Sequence, residues 1–87
     1  PAGGEHAVRI NQDVTIDAGV FEPGQSASRV FGEDRHGWVQ VVRGDLVLTI
    51  AGERVTIGEG DGVELAPGVS IGLEATSNAE VLVFDLA

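Results

Sequence analysis

The sequence predicts an all-β fold in a single small domain, and three features of the chain lead to this prediction. Apolar residues recur with a period of two, as from Leu46 to Ile50, and this is the pattern of a strand with one buried face. Thirteen glycines and three prolines interrupt the apolar runs at short intervals and supply turns. No stretch carries the 3,4-spaced apolar stripe and the caps of an amphipathic helix. With 87 residues, the chain suffices for one domain and is too short for two.

The alternation and the turn residues place the strands in order along the chain. Three buried faces are expected, formed by Leu46, Leu48 and Ile50, by Val55 and Ile57, and by Val69, Ile71 and Leu73. The apolar run from Val81 to Phe84, followed by Leu86, predicts a packed last strand. We expect strands at residues 7–10, 14–21, 27–31, 37–43, 45–50, 53–57, 62–65, 69–75 and 80–86.

The first residues are small and polar, so we expect residues 1–6 to form a flexible lead-in and residues 7–87 to form the β domain. Eight or nine strands in one domain require a closed barrel or a double sheet, because both arrangements hide the strand edges.

Composition limits the chemistry that the domain can perform. Cysteine is absent and all five basic residues are arginines, which excludes thiol chemistry, cysteine-based zinc sites and a lysine nucleophile. A net charge of −9 argues against nucleic acid and against an anionic membrane surface as partners. No apolar window is long enough to span a bilayer, and residues 1–10 lack the pattern of a secretory signal, so we expect a cytoplasmic protein.

The strand expected at residues 37–43 and the histidine before it carry the most informative polar side chains. His36, Trp38 and Gln40 are two residues apart and therefore share one face. One interpretation is a ligand pocket with an aromatic wall, an amide and an imidazole. The other is a core tryptophan with polar neighbours at the mouth of the barrel. The second histidine, His6, is expected to be solvated in the lead-in.

Other polar groups do not form a catalytic pattern. The Glu33-Asp34 pair predicts a solvated turn, since adjacent side chains on an extended chain diverge. The glycine-rich segment 58–62 leads from strand to strand and lacks the helix that a phosphate site needs. No serine lies in a nucleophile motif.

Four segments resemble the second half of the pirin-like bicupins, a family that includes bacterial quercetin 2,3-dioxygenase-like proteins. They are Arg35 to Gly44, Asp17 to Ser26, Gly60-Asp61-Gly62, and Ala79 to Leu86. The resemblance covers residues 8 to 87. It implies a single cupin-type antiparallel β-barrel, a double-stranded β-helix of the jelly-roll kind.

The resemblance also bears on metal binding, because the metal of that family lies in the first barrel. When the first-barrel ligand pattern is laid on this sequence, the ligand positions fall near Val30, Gly32, His36 and Gly72. Valine and glycine side chains cannot bind a metal, so the resemblance implies a metal-free barrel with no cofactor. His36 is the one residue left for a divalent transition metal, if it faces the barrel interior.

Three functions follow from these expectations. The first is a metal-free module that is not catalytic by itself and that forms a homodimer, packs against another cupin barrel or binds a small molecule near Trp38. The alternative is a metal-dependent, quercetinase-like dioxygenase acting on flavonols. The third is an isomerase-type cupin in which His36, Gln40 and Arg43 orient a polar substrate, although Arg43 is expected on the opposite face from Gln40.

Overall fold

Two antiparallel sheets face each other and enclose an apolar core. The computed structural model describes the backbone of residues 5–11 and residues 14–87 in full, and in these two ranges it has nine strands and no helix. No helix in the described part of the chain could therefore cross a membrane. The strands are β1 (Glu5–Asn11), β2 (Val14–Phe21), β3 (Ser26–Val30), β4 (His36–Arg43), β5 (Asp45–Ile50), β6 (Glu53–Gly58), β7 (Gly62–Leu65), β8 (Ser70–Ala75) and β9 (Ala79–Leu86).

The strand order brings distant parts of the chain together. The first sheet, sheet A, has the order β1-β2-β9-β4-β7, and the second, sheet B, has the order β3-β8-β5-β6. The last strand, β9, therefore lies in the centre of sheet A, where it pairs with β2 on one side and β4 on the other. The all-β prediction is confirmed, and the expected strands match those observed to within two residues at each end.

The core lies between the sheets and is built mainly from inward positions of β2 and of β4 to β9. Phe31, Leu46, Leu48, Val39 and Val41 are among its fully buried side chains. One predicted core residue is exposed. Val55 was expected to be buried with Ile57, but it is 49% exposed while Ile57 is 5% exposed. The reason is that β6 is the edge strand of sheet B and has only β5 beside it.

The first strand begins earlier than the sequence predicts. The lead-in was expected over residues 1–6, but Glu5 and His6 belong to β1, where they pair with Gly19 and Ala18 of β2. Backbone groups make this pairing, so small and polar residues can extend an edge strand. Residues 1–4 lie outside the described residues.

A β-bulge near the end of β4 changes which way Arg43 points. Val41 is opposite Val81, whereas Arg43 is opposite the next residue back, Glu80, so Val42 and Arg43 together face one residue of β9. The prediction that Arg43 lies on the face opposite Gln40 is therefore wrong, because the extra residue shifts the alternation by one. Arg43 reaches the outer face of sheet A, where its Nε lies 3.3 Å from Glu80 Oε1.

Candidate functional site

Four charged side chains meet at one end of the barrel and join the two sheets. Arg29 of β3, in sheet B, forms an ion pair with Asp17 of β2. A second ion pair joins Arg29 to Asp85 of β9, with 3.3 Å between Arg29 Nη2 and Asp85 Oδ2. Arg35, in the loop before β4, donates from Nε to Asp85 Oδ1 at 2.7 Å and from Nη2 to the Asp85 backbone oxygen at 2.9 Å. The cluster contains two acids and two bases, so its charges compensate one another.

The base of this charge cluster is aromatic. The guanidinium carbon of Arg29 lies 5.5 Å from the ring centroid of Phe31, which is itself only 1% exposed. At this distance the ring face attracts the cation and fixes the position of Arg29. Arg29, Asp17 and Asp85 were not among the site residues predicted from the sequence. The sequence did contain a sign of the cluster. Arg29 and Asp17 lie at inward positions of alternating strands, and a charged side chain at such a position needs a partner of opposite charge.

The interior behind the charge cluster is nearly full. A small cavity of about 30 Å³ lies there between the sheets, lined by Phe21, Leu73, Val81 and Val83 and bordered by Asp17 and Arg29. That volume accommodates one or two water molecules. Pockets for small organic ligands are roughly 300 to 1,000 Å³, so this cavity has no room for a flavonol-sized molecule.

Acidification is expected to remove the stabilisation that Asp85 provides. Burial alone raises the pKa of the Asp85 carboxyl, but hydrogen bonds from Arg35 and Arg29, together with their positive charge, outweigh burial and hold the pKa below its ordinary value of 3.8. A lowered pKa means that the folded state favours the ionised carboxylate. Its contribution is therefore complete above about pH 4 and is lost as the pH falls through the folded-state pKa.

The variant Asp85→Asn should accordingly be less stable than the parent chain near neutral pH, and the difference in free energy of unfolding should shrink below about pH 4. Urea unfolding at several pH values measures this difference. Asp34→Asn, at an exposed turn position, is the control and should show little difference at any pH. A deficit in Asp85→Asn that stays constant with pH would contradict the assigned role.

The side chains that the structure describes do not fit a metal centre. Of the four positions that the resemblance assigns to ligands, Val30 is 73% exposed and two are glycines. The fourth, His36, does not face the interior, because the neighbouring Gly37 and Val39 take the inward positions of β4. Within the described residues no three metal-binding side chains converge, and the interior carboxylates of Asp17 and Asp85 are held by arginines.

The predicted trio of His36, Trp38 and Gln40 lies on the outer face of sheet A. The shared face is as predicted, but the interpretation of Trp38 as a core residue is wrong, since its side chain is on the outside and the residue is 37% exposed. His36 borders an open surface depression beside Glu64 and Pro67. Ligand binding by the trio stays a prediction.

Neighbouring groups fix the Trp38 ring in one orientation. Its Nε1 donates to Gln40 Oε1 at 3.1 Å, and Gln40 Nε2 in turn donates to the backbone oxygens of Gly60 and Asp61 at 3.3 and 3.2 Å. The ring lies across Gly62 of β7, where a Cβ atom would come within 2.3 Å of Trp38 Cζ2. Glycine at this position therefore lets the indole pack flat against the sheet.

Two antiparallel sheets closed around an apolar interior in this strand order define a small jelly-roll barrel, and solved structures with the same fold are cupins. The cupin domain of an XRE family transcriptional regulator from Enterobacter cloacae superimposes with a TM-score of 0.87 over 100% of this chain and 98% of that chain, at 17% identity. KdgF from Halomonas sp. gives a TM-score of 0.81 over 94% and 77% of the two chains, at 18% identity. At such identities the likeness shows the fold alone.

The chain belongs to the quercetinase C-terminal cupin domain family, whose family model matches residues 1–86. A quercetin 2,3-dioxygenase from Escherichia coli O157:H7 is 28% identical over 86 residues. The match covers 99% of this chain and 36% of that protein, so the chain spans about a third of the length of this curated relative. The resemblance read from the sequence is thereby confirmed.

Proposed function

We propose that this domain is a metal-free cupin module that acts through its outer surface and has no catalytic centre of its own. The observation that carries the proposal is the occupied interior. Apolar side chains fill the space between the sheets, and Arg29 closes one end by pairing with Asp17 and Asp85. A cavity of about 30 Å³ remains, which is too small for an organic substrate.

The alternative function is a metal-dependent dioxygenase that acts on flavonols, and it requires both ligands and space. A transition metal needs several neutral imidazoles or free carboxylates directed at one point. The inward carboxylates here are engaged by guanidinium groups instead. The E. coli relative carries the name of the activity, but the region matching this chain is 36% of that protein. The catalytic site of the E. coli protein can therefore lie outside the region that matches this chain.

Metal content and quercetin consumption, measured on the same preparation, test the proposal. We expect the protein, after incubation with iron(II), copper(II) or nickel(II) and dialysis, to hold far less than one metal ion per chain and to leave quercetin unchanged. The E. coli relative, assayed in parallel, shows that the assay detects turnover. One bound metal per chain together with loss of quercetin would overturn the proposal.

A second candidate function is binding of a small molecule at Trp38, and the fixed, exposed indole favours it. A pre-oriented aromatic ring with Gln40 beside it and His36 along the same strand can stack on a planar ligand and hydrogen-bond its edge. Trp38 is the only tryptophan, so fluorescence in a titration with aromatic acids and flavonoids reports on this site. A saturable change that disappears in His36→Ala supports binding, and no response across the panel excludes it.

A further inference from the structure

The second strand of the hairpin formed by β5 and β6 has one side without a partner strand. β6 stands at the end of sheet B and pairs only with β5. The two-residue turn between them has positive φ at both positions, which makes Ile50 and Glu53 a hydrogen-bonded pair. Bonded and non-bonded pairs alternate along antiparallel strands, so Arg54 and Thr56 direct their backbone N–H and C=O groups away from β5.

The outward backbone groups of Arg54 and Thr56 make no hydrogen bond to any residue that the structure describes. Gly58, the next outward residue, differs because its N–H donates to Asp61 Oδ2 at 2.8 Å and its carbonyl accepts from Asp61 N at 2.9 Å. Two donors and two acceptors are therefore open to a further strand. We call this stretch the β6 edge and define it by residues 53–56.

The β6 edge lacks features that commonly prevent an edge strand from pairing. It contains neither proline nor lysine, and its pairing with β5 has no bulge. The opposite edge of sheet B is β3, which Arg29 ties to sheet A through its ion pairs with Asp17 and Asp85. The β6 edge is therefore the more open of the two edges of sheet B.

An apolar contact surface lies beside the free backbone groups. Val55 is 49% exposed, although it lies on the same face of β6 as the buried Ile57. Together with Ile50 and Ala51 it lines an open depression at the end of the hairpin. A strand that pairs with the β6 edge places the side chain opposite Val55 on this same face, so that residue should be apolar.

Charge around the hairpin favours a basic partner. Residues 45–61 contain four acids and a single base, Arg54, whose Nη2 lies 3.7 Å from Oε1 of another acid, Glu74. Glu53 is exposed and lies on the same face as Val55, so the partner residue opposite Glu53 should be basic. A second copy of this chain, with a net charge of −9, would be repelled, whereas a basic segment is attracted.

We propose that the β6 edge binds an extended basic segment of a partner protein, which adds a strand to sheet B. All strand pairs of sheet B are antiparallel, and we expect the same for the added strand. Read from its amino end, the segment then has an apolar residue opposite Val55, one further residue opposite Arg54, and Lys or Arg opposite Glu53. Backbone hydrogen bonds supply the affinity, and the alternate side chains supply the specificity.

This proposal rests on the proposed function, because a segment bound at a strand edge is the kind of partner that a non-catalytic surface module would have. The two can nevertheless fail separately. Metal content and quercetin consumption test the interior of the barrel, whereas peptide binding tests the β6 edge.

Fluorescence anisotropy tests the proposal, with the amidated peptide Ser-Thr-Val-Thr-Arg-Thr-Ser, labelled at its amino end, as the probe. We expect saturable binding below about 1 mM. N-methylation of the threonine that follows valine removes the N–H that would donate to the Arg54 carbonyl, and it should weaken binding about tenfold or more. N-methylation of the valine is the matched control, because its N–H points away from β6, and it should change affinity by less than about threefold.

Two variants of the protein test the charge and the backbone separately. Glu53→Lys should weaken binding of this probe about threefold or more and should strengthen binding of a probe with glutamate in place of arginine. Thr56→Pro removes one outward N–H without removing a bond to β5, and it should weaken binding about tenfold. Ser28→Pro removes the corresponding outward N–H of β3 and should leave binding unchanged.

Amide hydrogen exchange supplies a readout that needs no variant. The amides of Arg54 and Thr56 should exchange faster than those of Val55 and Ile57 in the free chain, and the bound probe should slow them. No binding at about 1 mM, or equal effects of the two N-methylated probes, would overturn the proposal. Slow exchange at Arg54 and Thr56 that depends on protein concentration and not on the probe would place a second copy at the β6 edge and refute it.

Discussion

Replacing Phe31 by alanine is expected to lower the free energy of unfolding by about 3 to 5 kcal/mol. Phe31 is 1% exposed, and its ring packs directly on Gly37, where an added Cβ would lie 2.5 Å from Phe31 Cε2. The surrounding strands are held by backbone pairing and cannot collapse into the space that the ring leaves. The ring also supports the guanidinium of Arg29, so its loss loosens the charge cluster that joins the sheets.

For a domain of this size the loss is a large fraction of the total stability, which is about 5 to 15 kcal/mol for globular domains. Urea unfolding followed by circular dichroism measures it. The neighbouring substitution Val30→Ala is the matched control, since Val30 is 73% exposed and should change stability by no more than about 0.5 kcal/mol. Similar losses in the two variants would show that Phe31 is not a central core residue.

Replacing Gly44 by alanine is expected to be the most damaging of the glycine substitutions. Gly44 joins β4 to β5, where the chain passes from one sheet to the other, and it has a φ of +80°. A Cβ atom there would lie 2.1 Å from the backbone oxygen of Asn78 and 2.7 Å from Cα of Ala79, at the start of β9. These are backbone atoms, so a side-chain rotation cannot relieve the contact. Strain and overpacking together should cost about 2 to 5 kcal/mol.

The variant Gly52→Ala separates backbone strain from overpacking. It has nearly the same φ, +82°, but no atom lies within 4 Å of the place that a Cβ atom would take there. Gly52→Ala should therefore cost only the left-handed backbone strain of about 1 to 2 kcal/mol. The difference in stability between the two variants, taken from their melting curves, measures how much of the cost of Gly44→Ala comes from the steric contact. If both variants lose the same stability, the contact with Asn78 has been relieved by a movement of the chain.

Strand positions were predictable because alternation and turn glycines act locally. The strand from Asp45 to Ile50 is an example, since each of its inward residues is apolar and a turn with glycine stands at either end. The side of the sheet on which a residue lies was harder to predict. In β4 both alternating sets contain large apolar side chains, Val39 and Val41 in one and Trp38 in the other. Periodicity separates these sets but does not tell which of them is buried.

The charge cluster lay beyond local reasoning for a different reason. Its members come from β2, β3, the loop before β4, and β9, and they meet only because β9 pairs with both β2 and β4 and because sheet B packs over sheet A. The bulge that turns Arg43 outward is a single extra residue of β4 in its pairing with β9. The alternation of residue types in the sequence does not mark the position of this extra residue. The family resemblance, in contrast, depends on whole segments rather than on single residues, and it predicted the barrel correctly.

The central position of β9 affects how the domain is made in the cell. β2 ends at Phe21, but the strand that must separate it from β4 begins at Ala79. At a synthesis rate of about 5 to 20 residues per second, β2 waits roughly 3 to 12 s for its partner to leave the ribosome. Sheet A can therefore close only after the last strand has been translated. In the interval the unpaired edges of β2 and β4 are exposed together with the outward apolar side chains of these two strands, such as Ile16 and Trp38, and these nascent segments are the ones that a chaperone would need to cover.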